Sequence, residues 1–346
     1  MKKLMIIGSN TIHVYNYIDL VKEYFDDILL ITNEKREGTD VKTIELDFHL
    51  KLSSRIKTVG RIKKLIKEYS PSVIHVHQAN SYAYYALKAA QSCRIPKILT
   101  AWGSDILISP NKSWLLKKMV QFNLRHADSF TSDSEFMADE MQRLVPEKKL
   151  DIVIANFGIE FLNLKLLKEN IIYSNRLHKK LYRINKVITG FKTFIDNSQE
   201  KNWKLIIAAT GDETDALKLL VEQLGLSAHV QFAGWVNKVQ NAEFYSKAKI
   251  FVSIPESDAT AISLLEAMAY GCVPVLSDLP ANREWIEDGK NGIIVNLLEE
   301  NFFERAIKLE IEEVASYNRK IIAEKGTKEA NRKKFIQLYD KLLQKK

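Results

Sequence analysis

The sequence predicts an α/β protein of two doubly wound, Rossmann-like parallel-sheet domains that face each other across a cleft. Three observations carry this. Short apolar runs alternate with helix-period segments along the first half, the same alternation restarts near residue 169, and 346 residues suit two domains at roughly 100–200 residues each. A strand, a helix and a further strand in repeated order imply right-handed crossovers and a sheet covered on both faces. The boundaries expected are 1–163 for the first domain, 164–326 for the second, and a terminal helix over 327–346 that returns to the first.

In chain order, KLMIIG reads as a strand and HVYNYIDLVKEYF as a helix. DILLIT is a second strand. Over 52–69, Leu52, Ile56, Val59, Ile62, Ile66 and Tyr69 recur three or four apart, which predicts a helix with one apolar face. SVIHVH, KILTAW, SFTSD and LDIVIA complete the first set of strands. ENIIYS, WKLIIAAT, HVQFAG, KIFVSI, VPVLSD and GIIV form the second set, with DALKLLVEQLGL and AISLLEAMAYG among the helices between them. Open parallel sheets bind ligands at the carboxyl ends of their strands, which places the expected site in the cleft.

Composition narrows the class. Hydrophobic residues make up 46% of the chain, far too many for a disordered one. Two cysteines, Cys93 and Cys272, cannot build a disulfide scaffold, so a reducing compartment is expected. The apolar run in MKKLMIIGSN stops after four residues, too short for a signal peptide, and no run reaches membrane-spanning length. The net charge of +8 is unevenly placed. Segment 51–67 holds seven basic residues and no acid, and segment 317–346 holds ten basic against three acidic.

The chemistry concentrates in residues 253–289, SIPESDATAISLLEAMAYGCVPVLSDLPANREWIEDG. Asp258 and Glu266 stand eight apart, flanking a helix expected to start near Thr260–Ile262 and to end at Gly271. Its first-turn amides are a ready phosphate site, and Glu266, about one turn in, can accept hydrogen bonds from ribose hydroxyls. This stretch resembles the acidic-x7-acidic signature of retaining glycosyltransferases of family 4 (glycosyl transferases group 1), which have the GT-B fold. The continuation EAMAYGCVPVLSD, then NREWIEDGKNGIIV, is similar in type and order as well.

The resemblance implies that Glu266 binds the ribose of a nucleotide sugar, that the amides of Ser263, Leu264 and Leu265 meet its diphosphate, and that Asp258 holds hydroxyls of the transferred sugar. The family more often has Glu first and a glycine-rich loop, where this chain has Asp258 and Ala259–Thr260–Ala261. In SNRLHKKLYRINK, Arg176 matches the family's diphosphate-binding Arg. The register of the family's Lys falls near Leu181–Tyr182, which passes that role to Lys180 or Arg183. A departing nucleoside diphosphate gains negative charge, so cations belong here.

In the first domain, Gly8, Ser9 and Asn10 occupy a strand-to-helix turn, and the resemblance sets them where the donor diphosphate or the acceptor approaches. His13 reads as a first-turn contact or as a surface residue. His75 and His77 share one strand face, and without a third ligand at suitable spacing they read as core or cleft-lining groups rather than a metal pair. ILTAWGSD resembles the family's TxHGxD-like segment with Trp102 in the His position; Asp105 there suits an acceptor hydroxyl or a helix N-cap. ANFGIE resembles the PNGxD segment, with Phe157 inserted and Glu160 in place of Asp. His13, His77 and Trp102 are therefore the expected acceptor-side residues.

No Asp-x-Asp pair occurs, so neither a metal nor another cofactor is expected beyond the nucleotide-sugar donor. The implied reaction moves a hexose or N-acetylhexosamine, UDP-linked, to a glycan or lipid-linked acceptor in bacterial surface polysaccharide or glycoconjugate synthesis. A nucleotide-sugar 2-epimerase and a non-catalytic partner subunit share the fold and stay open as alternatives. The basic 51–67 segment and KSWLLKKMVQF read either as solvated helix faces or as a contact with an anionic membrane, on a cytoplasmic enzyme at the inner face; nucleic acid is not an expected partner.

Overall fold

The computed structural model describes residues 1–160, 166–296 and 301–344. The chain forms two compact units, Met1–Phe157 with Lys328–Lys346, and Gly158–Thr327. The domain boundary expected at 163/164 lies outside the described residues.

The first unit holds a seven-stranded sheet. Its strands are β1 (Lys3–Ile7), β2 (Asp27–Thr32), β3 (Lys42–Glu45), β4 (Val73–His77), β5 (Lys97–Thr100), β6 (Ser129–Ser132) and β7 (Ile152–Ile154). They run in the order β3-β2-β1-β4-β5-β6-β7 with every pair parallel. Leu4, Met5, Ile6 and Ile7 are all buried, as a central strand covered on both faces requires. The strand order reverses between β1 and β4, so the Gly8 turn and His77 come to the switch point together. Strand β3 (KTIE) had no apolar run to announce it. It is an edge strand with exposed ends, where charged residues also block pairing with other chains.

The Leu52–Tyr69 helix forms as expected, but its face is rotated. Ser54, Thr58, Ile62, Leu65, Ile66 and Tyr69 are buried, whereas Ile56 is 67% exposed. Hydrogen bonds from Ser54 Oγ to Asp47 Oδ2 and from Thr58 Oγ1 to the Asp47 carbonyl fix the rotation. Two short polar side chains thus take inward positions that an apolar count assigns to Ile56.

The Lys328–Gln344 helix belongs to the first unit, where Phe335, Leu338, Tyr339 and Leu342 join the core around Tyr17. Tyr339 Oη and Tyr17 Oη both meet His75 Nδ1, at 2.7 and 3.0 Å, and His75 Nε2 meets Thr100 Oγ1 at 2.7 Å. His75 is thereby a saturated core histidine.

The second unit holds a six-stranded parallel sheet of β8 (Glu169–Ser174), β9 (Lys204–Ala208), β10 (Val230–Gly234), β11 (Ala248–Ser253), β12 (Val273–Ser277) and β13 (Ile293–Val295), in the order β10-β9-β8-β11-β12-β13. Its switch point lies between β8 and β11, so the segments after them, 175–183 and 254–261, meet at one edge. Two apolar clusters fill the two faces, one around Phe191, Phe194 and Phe303 and one around Tyr245, Phe251 and Leu264.

Candidate functional site

In the second unit the Ile262–Ala269 helix follows β11, with Ala261 as its N-cap and no side-chain cap. Gly271 ends it at φ +74°, a left-handed turn that favours glycine. The Ala261 carbonyl takes the amides of Leu264 (3.0 Å) and Leu265 (3.4 Å). That corrects the expected trio of free amides. Leu264 and Leu265 close the first turn, which leaves Ser263 as the one of the three with no backbone partner among the described residues.

Arg176, just past β8, reaches across the switch point. Its Nη2 lies 2.6 Å from Asp258 Oδ2 and its Nη1 donates to Ser263 Oγ at 3.0 Å. The guanidinium also lies 4.5 Å over the Tyr182 ring. A planar fork bound at two points and stacked on an aromatic face holds one orientation, which a lysine could not match. Burial raises the Asp258 carboxyl above its ordinary range, and Arg176 works against that rise.

Glu266, one turn into the helix, accepts a hydrogen bond from Asn241 Nδ2 at 3.3 Å, and burial raises its carboxyl too. A relay supports it. Tyr173 Oη donates to Asn241 Oδ1 (2.6 Å), Asn175 Nδ2 donates to Tyr245 Oη (2.8 Å), and Tyr245 Oη donates to the Ser263 carbonyl (3.1 Å). Asn241 and Tyr245 escaped the sequence reading, although their i, i+4 spacing in the Lys238–Lys247 helix puts both on one face. At the same edge Ser174 Oγ and Ser277 Oγ, ending β8 and β12, are buried without partners among the described residues.

The two candidate cations separate. Arg183 has φ +51° and pairs with Glu256 at 3.3 Å. Lys180 starts a short 3-10 turn, is exposed, and makes no ion pair among the described residues. Lys180 is therefore the more available partner for Arg176.

In the first unit, Gly8 packs on His77. An added Cβ would lie 3.2 Å from His77 Cβ and 3.0 Å from Val14 Cγ2. His77 is fully buried, its Nδ1 accepts the Trp102 indole N–H at 3.3 Å, and burial pushes its pKa down to about 3. Ser9 Oγ and Asn10 Oδ1 on the turn have no partner among the described residues, while the Asn10 amide donates to Asn33 Oδ1. His13 lies beside Trp102. Asp105 is not an N-cap: Gly103 holds that position in the short Ser104–Leu107 helix. The buried Asp105 carboxylate instead accepts the amides of Ala79 (2.6 Å) and Trp102 (3.0 Å), tying the β4 and β5 loops together.

Two family models match the chain. "Glycosyl transferase 4-like" covers residues 3–134 and "Glycosyl transferases group 1" covers 159–329. N-acetyl-alpha-D-glucosaminyl L-malate synthase of Bacillus anthracis is 26% identical over 261 residues, which is 71% of this chain and 65% of that protein. An alpha-1,4-N-acetyl-D-galactosaminyltransferase of Campylobacter jejuni, named for a diphospho-undecaprenol-linked glycan, is 21% identical over 89% of this chain and 84% of its own length. Among solved structures, Anabaena HepE in complex with UDP and glucose superposes with a TM-score of 0.81 at 14% identity, over 99% of this chain and all of that one. Sucrose-phosphate synthase from Thermosynechococcus elongatus gives 0.82 at 15% identity, with complete coverage of both chains. With its two parallel-sheet units and these matches, the chain belongs to the group 1, family 4-like glycosyltransferases of GT-B fold.

Proposed function

We propose that this protein transfers a hexose or N-acetylhexosamine from a UDP-sugar to a hydroxyl of a glycan or lipid-linked acceptor, with retention at the anomeric carbon. The observation that carries the reading is Arg176, fixed by Asp258 and Ser263 beside an uncapped helix start with Glu266 one turn on. Ribose hydroxyls suit Glu266, and the diphosphate suits the helix start together with Arg176 and Lys180. The UDP and glucose bound in the Anabaena relative, and the lipid-linked glycan named for the Campylobacter one, support the same substrates.

In the step proposed, the acceptor oxygen bonds to the anomeric carbon as the bond to the diphosphate oxygen breaks. The acceptor proton passes to the leaving phosphate on the same face, and no protein nucleophile takes part. Arg176 and Lys180 stabilise the charge that develops on the diphosphate, the role a divalent metal plays elsewhere. Activity in excess EDTA is the expected result on that point.

The test is release of UDP from UDP-glucose, UDP-galactose and UDP-N-acetylglucosamine, with thermal stabilisation by UDP read in parallel. Arg176→Ala should lower turnover by about a hundredfold, the usual size for a lost transition-state donor. Full transfer by Glu266→Ala would remove the site assignment, and epimerised sugar in place of transfer would favour the epimerase.

We further propose that the first unit docks on an anionic bilayer at the inner face of the cell membrane, a reducing compartment that suits the two free thiols. The cations of the Leu52–Tyr69 helix are exposed, beside Leu50 and Ile56 at 59% and 67% exposure. Trp114 and Leu115, 71% and 62% exposed, open the Trp114–His126 helix among Lys112, Lys117 and Lys118. Tyr84, between Arg55 and Phe122, links these two helices into one surface. Exposed apolar tips inside a cation field suit anionic headgroups over a hydrocarbon layer.

A further inference from the structure

Arg176 stands in a loop, and a functional side chain on a loop is only as fixed as the loop's own anchors. The segment that leaves β8 is anchored on both sides of Arg176. Before it, Asn175 Nδ2 donates to Tyr245 Oη at 2.8 Å. After it comes His178, only 1% exposed although its neighbours in sequence are Arg176, Lys179 and Lys180.

Each polar group of His178 is engaged, and its partners lie in the stretch 208–214 that leaves β9. The His178 amide donates to the Thr210 carbonyl at 3.2 Å, and the His178 carbonyl accepts the Glu213 amide at 3.0 Å. On the ring, Nε2 lies 3.2 Å from the Ala208 carbonyl and Nδ1 lies 2.8 Å from Thr214 Oγ1. A carbonyl only accepts, so Nε2 carries a hydrogen. In the neutral ring Nδ1 accepts from the Thr214 hydroxyl, while the Gly211 carbonyl keeps the Thr214 amide at 3.1 Å. Burial lowers the imidazole pKa; the bond to Ala208 and the Glu213 carboxylate oppose the fall, and Lys218 adds to it. The ring also meets Phe232 of β10 edge to face, 5.9 Å away at 76°. Gly211 shows how closely the two stretches press together: a Cβ there would lie 2.4 Å from the His178 carbonyl oxygen.

We propose that His178 is a positioning residue for the transfer reaction: its ring fastens the Arg176–Lys180 loop to the end of β9 and to Thr214, and so presets the Arg176 guanidinium for the departing diphosphate. This rests on the glycosyltransferase reading. His178 is buried and touches no substrate, so it acts through Arg176. A cation that stabilises a leaving group has to be in place beforehand, because reorganisation during the step costs rate. Phenylalanine would fill the same space and keep the Phe232 contact, but it can hold neither Ala208 nor Thr214. Glutamine can return a donor to the Ala208 carbonyl.

Steady-state release of UDP from UDP-glucose, UDP-galactose and UDP-N-acetylglucosamine by the full chain tests this, with hydrogen exchange of the 175–183 amides followed in parallel. His178→Phe should lower kcat about tenfold, within what a small misplacement of a reacting group costs, and leave donor KM nearly unchanged. His178→Gln should recover most of that loss. Added to Arg176→Ala, His178→Phe should cost little more than Arg176→Ala alone, because the two changes remove one function. Thr214→Val takes away the Nδ1 partner from the other side and should lower kcat in the same direction, which keeps the test alive if His178→Phe fails to fold. Losses that multiply in the double variant, or a Gln variant no better than Phe, would mark a packing role and overturn the proposal. UDP release by the wild type with kcat intact in His178→Phe and Thr214→Val also overturns it and leaves the transferase reading standing. A wild type that neither releases nor binds UDP removes the transferase reading. The fastening is then judged by exchange: faster exchange at 175–183 in His178→Phe upholds it, and unchanged exchange overturns it.

Discussion

Glu266 is a carboxylate held where burial opposes its charge, and the hydrogen bonds from Tyr245 and Asn241 only partly offset that. A carboxyl whose folded-state pKa is raised costs stability only where the unfolded chain would be ionised. The cost is absent below about pH 4 and complete above the folded-state value. Glu266→Gln should therefore raise the melting temperature at pH 7, with the gain vanishing below about pH 4, while donor binding is lost. Differential scanning fluorimetry across pH checks this, and an unchanged melting temperature at pH 7 would remove the strain argument. Stability surrendered at a functional position is a common trade. Asp258, Glu266 and Arg176 could be singled out from the sequence because they lie in short contiguous stretches that carry the family resemblance. Asn241 and Tyr245 could not, because their relevance depends on which elements the sheet order brings together. Asp105 shows the converse: a capping residue by type, it serves the backbone amide of Trp102 in its own loop and that of Ala79 in the loop after β4.

At the level of elements, glycines separate local preference from packing. Gly60 lies within the Leu52–Tyr69 helix with nothing near an added Cβ, so Gly60→Ala should gain up to about 1 kcal/mol from helix propensity alone. Gly190 lies within the Ile184–Asn197 helix, where the same substitution sets Cβ 2.3 Å from Phe302 Cζ. The clash overrides propensity, and Gly190→Ala should cost about 1–3 kcal/mol. Urea denaturation of the two variants should show midpoint shifts of opposite sign; the same sign for both would defeat the packing argument. Strand reading follows the same division. The buried strands announce themselves as apolar runs, and β3 does not because an edge strand buries little. The 52–69 helix was legible in extent but not in rotation, since Asp47 recruits Ser54 and Thr58 by hydrogen bonds that no periodicity count contains.

For the whole molecule, the net charge of +8 conceals a division of labour. The segments 51–67 and 317–346 together carry +14, which leaves −6 for the remaining residues. Part of that charge is already engaged. Arg332 pairs with Glu23 at 2.7 Å and Lys341 with Asp151 at 2.7 Å, so these cations of the terminal helix secure it to the first unit. In the 52–69 helix Arg61 and Lys64 share Glu68, whereas Lys57, Lys63 and Lys67, and Lys51 just before the helix, make no ion pair among the described residues. The free charge therefore sits on the surface that also exposes Ile56, Trp114 and Leu115. If that surface meets a bilayer, binding has two separable parts. The electrostatic part, about 1 kcal/mol per cation near an anionic leaflet, should fade as salt screens it; the apolar part should not. Cosedimentation with vesicles of phosphatidylglycerol and phosphatidylcholine should show binding at 50 mM salt that weakens at 500 mM and is absent on phosphatidylcholine alone. Replacing Lys57, Lys63 and Lys67 with Gln should mimic high salt. Trp114→Ala should lower binding at both salt concentrations by about tenfold, as loss of one inserted aromatic implies. Equal binding to neutral and anionic vesicles, or none at low salt, would leave these helices as ordinary solvated faces.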